Sequence, residues 1–342
     1  MPKGPIFEKK NVVVAGGAGF IGSHLCERLL RDAHVVCIDN LSATSEKNID
    51  LLLRNPDFEF IKLDICEPID LEEFKELERF KIKFQGIQEV YNLACPTSAK
   101  GFDKYRVPTL AANGVGTKNV LDLAVKYGAK LVHGSSSVVY GPRVPEVEYI
   151  AEDRLGTLDQ LSPRACYDEG KKFAETMVAT YAEVYKADFK IARIFRTYGP
   201  RERLFDGEMI PDFIVDALDN RDLVIYGDET FSTSLTYVSD IVEGLMKLMA
   251  ATPGIGAVNL GADYEVRLVD AATKIIELTA STSKVVFEQP ILFMTPLGVP
   301  DIAKAKERLG WLPLIRLEDG LARTIEYTRS NKALIDMMRN AE

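Results

Sequence analysis

Apolar residues along this chain fall into two periods. Short runs rich in β-branched and aliphatic residues recur at 12–14, 34–38, 58–63, 89–95, 130–133, 190–195 and 257–260. Each reads as a strand. The most continuous, Val12-Val13-Val14, reads as one buried on both faces. Between them, helical spacing covers 20–30, 109–127 and a stretch from Cys166 to about 186. Further helices are expected up to Arg54, after a polar stretch at 41–47, and over the charged segment 71–80. Strands alternating with helices predict an α/β fold with a doubly wound parallel sheet covered on both faces. In such sheets ligands bind outside the carboxyl ends of the strands.

Beyond residue 195 the pattern changes. Residues 207–220 lead into a helix with Pro211 near its start, and 223–226 form a short strand. Residues 235–238 lead to Ser239, the expected N-cap of a helix to Met249. A proline-punctuated loop follows at 290–300, then a helix at 301–309, and Trp311 is expected in a core. The division that results is a first domain of residues 1–195, to which 236–280 returns. Residues 196–235 and 281–330 build a smaller mixed α/β lobe.

A length of 342 residues fits one large domain with such a lobe. The hydrophobic share of 46% and charged share of 27% are those of an ordinary globular chain. A net charge of −9 argues against a nucleic-acid partner and against electrostatic attachment to anionic membranes. It leaves room for an anionic small molecule held by local arginines. Five scattered cysteines without C-x-x-C spacing read as free thiols in a reducing compartment. Residues 1–10 lack the apolar core of a signal peptide, and no run approaches the length of a membrane span. The cytosol is the expected compartment. None of the three histidines has metal-ligand spacing, so no metal is expected, and His133, inside a strand, reads as packing.

Chemistry enters at the first strand. Gly16, Gly19 and Gly22 follow it in G-x-x-G-x-x-G spacing, with Phe20 and Ile21 opening a helix. Gly16 permits the turn, Gly19 lets backbone approach a pyrophosphate, and Gly22 lets helix and strand pack closely. The pyrophosphate then meets the free N–H groups of the helix N-terminus. The second strand ends at Asp39-Asn40, the acidic position about 20 residues on that binds an adenosine ribose through its hydroxyls. A carboxylate there repels a 2′-phosphate, so the expected cofactor is NAD. Asp64-Ile65 closes the third strand, where Asp64 either accepts from an adenine amino group or caps the strand. Leu93 and Ala94 end the fourth strand with room for a flat cofactor, and Asn113 lies on the following helix.

The fifth strand opens into Ser135-Ser136-Ser137, over the predicted active-site edge. Tyr167 and Lys171, four apart, share one face of the next helix. A free phenol has a pKa of about 10. A nearby ammonium and an oxidised nicotinamide favour the phenolate. Tyr167 is then positioned to take a proton from a sugar hydroxyl while its carbon gives up hydride, with Ser136 on the same oxygen. Arg196, Arg201 and Arg203 follow the strand at 190–195, either as phosphate ligands or as a solvated loop.

Four stretches make this chain resemble the extended short-chain dehydrogenase/reductases that act on nucleotide sugars, most closely the UDP-glucuronate decarboxylases. They are Tyr91 to Pro96, Cys166 to Thr176, Arg193 to Arg201, and Pro300-Asp301-Ile302 with Leu309-Gly310-Trp311. The resemblance implies a Rossmann domain and tightly bound NAD. It implies oxidation of the sugar at C4 by Tyr167, Lys171 and Ser136, with later return of the hydride. It also implies a homodimer formed through the helices that start near Thr109 and Tyr167. Ser137, Arg196 and Arg201 join Ser136 as candidate substrate ligands.

The departures carry information too. Such decarboxylases usually place a glutamate where Val138 stands, and the related 4,6-dehydratases place Asp-Glu at the positions of Ser137 and Val138. Serines followed by an apolar residue instead resemble the 4-epimerases, the alternative reading. The family usually has asparagine at Arg196, and often arginines at Thr233 and Gly298. A non-catalytic dinucleotide sensor is expected to have lost Tyr167 or Lys171, and both are present.

Overall fold

A computed structural model describes residues 9–97, 102–144, 147–290, 297–333 and 335. The amino-terminal segment 1–8, Pro145 and residues 291–296 of the proline-punctuated loop lie outside the described residues.

Seven parallel strands form the central sheet: β1 (Lys10–Ala15), β2 (Ala33–Asp39), β3 (Phe58–Lys62), β4 (Glu89–Asn92), β5 (Lys130–Ser136), β6 (Phe189–Ile194) and β7 (Ala257–Leu260). Their order across the sheet is β7-β6-β5-β4-β1-β2-β3. The winding therefore reverses between β1 and β4, where a crevice opens at the carboxyl edge. Successive side chains of a strand point to opposite faces. Val12 and Val14 enter one core with Leu25, Ile241, Leu245 and Trp311, whereas Val13 and Ala15 enter the other with Leu121, Ala124 and Val178. Burial on both sides is why β1 carries no polar alternation.

Helix α1 (Phe20–Leu29) leaves the glycine turn after β1. Helix α2 (Phe102–Ala111) starts earlier than its spacing predicts and accommodates Pro108. It passes through a wide turn at Ala112–Gly116 into α3 (Thr117–Tyr127). Thr117 Oγ1 bonds Ala112 O at 3.1 Å within that turn. A Cβ at Gly116 would sit 2.6 Å from Ile65 Cδ1, so the missing side chain lets the turn lie against the end of β3. Helix α4 (Ala165–Tyr185) carries the Tyr-x-x-x-Lys pair.

Three expectations fail locally. The helices expected up to Arg54 and over 71–80 are short 3₁₀ turns, Glu46–Asn48, Leu52–Arg54, Leu71–Glu73 and Lys75–Phe80, held by buried Leu52, Leu71, Leu77 and Phe80. Ser239 is not a cap: α6 (Val238–Ala250) begins after Tyr237, with Ser239 already in its first turn.

The smaller lobe has its own core, built by α5 (Met209–Leu218), the parallel pair Leu223–Tyr226 with Val285–Glu288, and α8 (Leu317–Ser330). Within 236–280, α6 and β7 pack on the central sheet, whereas Val266 and α7 (Leu268–Thr279) enter the lobe core. Phe20 and Ile21 of α1 also pack against that core, joining lobe to sheet. Trp311 is 2% exposed and donates from Nε1 to Asp240 O at 2.8 Å. No helix among the described residues is long and apolar enough to cross a membrane.

Candidate active site between the sheet edge and the lobe

A cleft of about 950 Å³ runs along the carboxyl edge of the sheet and under the smaller lobe. One end is the glycine turn. Gly16 has φ +79°, a left-handed conformation that favours glycine. A Cβ there would meet Ala94 N at 2.7 Å, so the turn touches the end of β4. A Cβ at Gly22 would meet Gly16 O at 2.0 Å, and one at Gly19 would meet the same oxygen at 3.1 Å. The turn and the first turn of α1 thus pack backbone on backbone.

Asp39 sits at the end of β2, with Oδ2 accepting from Ala18 N at 3.1 Å and Oδ1 from Leu41 N at 2.9 Å. Burial raises its carboxyl, against the pull of these N–H donors. Asp64 accepts from Cys66 N at 2.8 Å and from Asn40 Nδ2 at 2.9 Å. Burial would raise it, but those bonds outweigh burial and hold it low. It caps the strand and lines the cleft at once. Phe20, Ile21, Asn40, Ile65, Leu93 and Ala94 line the same half.

Asn113 is the candidate that the structure moves. It is 1% exposed and donates to Thr109 O at 2.9 Å and Cys95 Sγ at 3.2 Å. It packs against Gly170, where a Cβ would meet its Nδ2 at 3.1 Å. Its side chain therefore seats α4 against the wide turn and does not line the cleft. Burial in that turn, invisible to a helical reading of 109–127, turned it inward.

Ser136, Ser137, Val138, Tyr167 and Lys171 meet on one wall. Lys171 is buried, with Nζ donating to Gly134 O at 2.8 Å and lying 5.9 Å from the centre of the Tyr167 ring. Burial pushes the Tyr167 phenol above its ordinary range, Cys95 adds to this, and a hydrogen bond with Ser136 pulls it back. His133 is packing, as expected: it lies against Asn92, and burial keeps it neutral.

The lobe wall carries Arg196, Arg201 and Arg203, each facing a carboxylate: Glu208 at 4.0 Å, Glu27 at 2.5 Å and Asp206 at 3.9 Å. His24, also on α1, lies 2.8 Å through Nε2 from Pro200 O, so two contacts tie this wall to the helix of the glycine turn. The positions that lack the expected arginines are closed. Thr233 is 2% exposed, and a Cβ at Gly298 would lie 2.3 Å from Ile150 Cδ1.

Sequence reading missed Glu202, which also lines the cleft. Its Oε2 is buried without a hydrogen-bond partner. Burial first, then Glu208, raises its carboxyl well above the usual range. A raised folded-state pKa costs stability as pH climbs from the unfolded value of about 4.3 through the folded one. Glu202→Gln removes that loss. Its melting temperature matches the wild type near pH 4 and exceeds it by about 1–2 °C at pH 8, for an effect on the order of 1 kcal/mol. Melts across that range check it, and equal melting temperatures at pH 8 contradict the raised carboxyl.

Comparison with known proteins identifies the family. A family model described as the NAD dependent epimerase/dehydratase family matches residues 12–261. A UDP-glucuronic acid decarboxylase of Xenopus tropicalis is 37% identical over 94% of this chain and 73% of its own length. An epimerase of Methanothermobacter thermautotrophicus superposes with TM-score 0.83 at 29% identity, covering 96% of this chain and 95% of that one. The UDP-glucuronic acid 4-epimerase of Bacillus cereus, solved with UDP-glucuronic acid and NAD, gives TM-score 0.81 at 27% identity, covering 94% and 99%.

Proposed function

Because the chain belongs to the NAD dependent epimerase/dehydratase family, we propose that it oxidises the sugar of a nucleotide sugar at C4 and, like the UDP-glucuronic acid decarboxylases, releases carbon dioxide from the resulting ketone. The observation that carries this is the meeting of Tyr167, Lys171 and Ser136 on one wall of the cleft that ends at the glycine turn.

The cofactor end fits NAD. No side chain stands between the cleft and the backbone of Gly16, Gly19 and Gly22, and Asp39 closes β2 beside them. NAD held there would supply the hydride acceptor for C4 and the donor for its return. Tyr167, as phenolate, takes the C4 hydroxyl proton, and Ser136 donates to the same oxygen. Lys171 supplies positive charge beside the phenolate. When the C5 carboxylate leaves as carbon dioxide, the electrons of its bond move into the C4 carbonyl to give an enolate, whose oxygen Tyr167 and Ser136 receive with hydrogen bonds, and C5 takes its proton from water before hydride returns to C4. Val138 offers no proton at any step. Arg196 and Arg201 take the diphosphate in exchange for Glu208 and Glu27. Residues 196–235 and 281–330, joined by the unit at 266–279, are the lobe that holds the sugar nucleotide.

The enzyme is read as a cytosolic homodimeric lyase. Val107 and Leu110 on α2 and Phe173 and Val184 on α4 are between 51% and 75% exposed, an apolar face of the kind that pairs in a dimer. The second reading, a 4-epimerase and so an isomerase, is favoured by Val138 alone: exchange of hydride between ketone faces needs only Tyr167, Ser136 and NAD.

Incubation with UDP-glucuronate, followed by mass spectrometry and proton NMR, separates them. A UDP-pentose with release of carbon dioxide is the expected product. Unchanged mass with inverted C4 makes the protein an epimerase. An untouched substrate overturns UDP-glucuronate and moves the search to other nucleotide sugars.

A further inference from the structure

Behind the wall that carries Tyr167 lies a buried charged network that the chemistry above does not use. Glu175 follows Tyr167 by two turns and Lys171 by one, on the same face of α4. Its Oε1 accepts from Ser135 Oγ at 2.6 Å and from Arg193 Nε at 2.9 Å, and its Oε2 accepts from Arg193 Nη2 at 2.8 Å. This is a two-pronged pair, with side chains only 12% and 15% exposed. Arg193 stands on β6 directly across from Ser135 on β5. Its Nη1 donates to Tyr140 OH at 2.9 Å and Glu152 O at 2.8 Å, with the guanidinium 4.8 Å over the Tyr140 ring. Tyr140 OH in turn donates to Asn259 Oδ1 at 2.7 Å.

The segment 134–140 is therefore fastened at three points. Lys171 holds Gly134 O, Glu175 holds Ser135, and Arg193 holds Tyr140. Ser136 and Ser137 lie between those points. Neither Glu175 nor Arg193 lines the cleft, so both act through the residues they hold.

We propose that Glu175 and Arg193 form a positioning clamp that fixes Ser136 against the Tyr167 hydroxyl, by locking the end of β5 to the helix that carries the tyrosine. This rests on the reading of Tyr167 as the base. A serine and a phenol on separate elements keep hydrogen-bonded register only if those elements cannot slide. A bidentate buried pair resists sliding better than apolar contact, because its geometry is directional. Glu175→Gln keeps an oxygen for Ser135 and loses the charge that grips the guanidinium. Arg193→Lys keeps the charge and loses the fork.

Two readouts test the clamp. The first is the alkaline titration of Tyr167 by ultraviolet difference against Tyr167→Phe, in protein without added cofactor. The Ser136 hydrogen bond lowers that phenol, so a loosened clamp raises the midpoint. The second is steady-state turnover of the nucleotide sugar. The expectation for both variants is a kcat loss of about tenfold to a hundredfold with KM within about twofold. Breaking a buried pair risks the fold, so Ser135→Ala, which cuts only the Glu175 link to β5, serves as the mild variant, with the same upward shift expected. A folded Glu175→Gln or Ser135→Ala with unchanged midpoint and unchanged kcat overturns the clamp. If the wild type converts no nucleotide sugar, the functional reading fails, while the titration still decides the clamp.

Discussion

Tyr167→Phe abolishes turnover and leaves the cofactor in place. The ring that α4 carries is retained and only the hydroxyl is lost, so the fold and the cofactor end of the cleft are untouched. A positioned base contributes about 10²- to 10⁴-fold to a rate. A loss of about 10³-fold in kcat, with NAD affinity within about twofold, is the expected result. The free phenol carries a sign as well. Burial, then Cys95, raises it and Ser136 lowers it, for a net upward shift. A base works only once deprotonated, so kcat/KM of the wild type climbs as pH rises from neutral toward the alkaline side. The variant has no such limb. Product formation from pH 6 to 10, with NAD binding followed by calorimetry, checks both. More than about 1% residual activity, or an unchanged pH limb, removes Tyr167 from the role of base.

The candidate pair Tyr167 and Lys171 was legible because its spacing is local. Residues four apart on a helix share a face whatever the surroundings, and Tyr167 and Lys171 do so on α4. The glycine turn was legible for a similar reason: three missing side chains at fixed steps, between a strand and a helix, admit few backbone paths. What the sequence concealed depends on distant partners. The segment 71–80 has helical composition, yet Leu71, Leu77 and Phe80 all reach the core through tighter turns. Asn113, a cofactor candidate by its place on the helix expected at 109–127, is turned onto Gly170 by the wide turn at Ala112–Gly116. Glu175 and Arg193 are 18 residues apart and meet because β6 lies beside β5 and α4 covers both. Glu202 carried no local signal at all; its character comes from burial beside Glu208.

Gly22→Ala weakens cofactor binding with one methyl group. The added carbon would lie 2.0 Å from Gly16 O and 2.9 Å from Gly16 C and from Gly17 Cα, all backbone atoms that no side-chain rotation relieves. Either the glycine turn moves or the start of α1 lifts away from it. Both displace the N–H groups that face the pyrophosphate and draw Phe20 and Ile21 off the lobe core. Overpacking of this kind costs about 1–3 kcal/mol. If the turn bears that cost whenever it adopts its binding shape, NAD affinity falls about 10- to 100-fold, at about 1.4 kcal/mol per tenfold. Gly114→Ala is the control: an added Cβ there has nothing within 4 Å. It leaves affinity within about twofold, since an alanine there meets no neighbour and costs nothing in packing. Calorimetric titration of both variants with NAD decides the matter, and equal affinities for the two sever the glycine turn from cofactor binding.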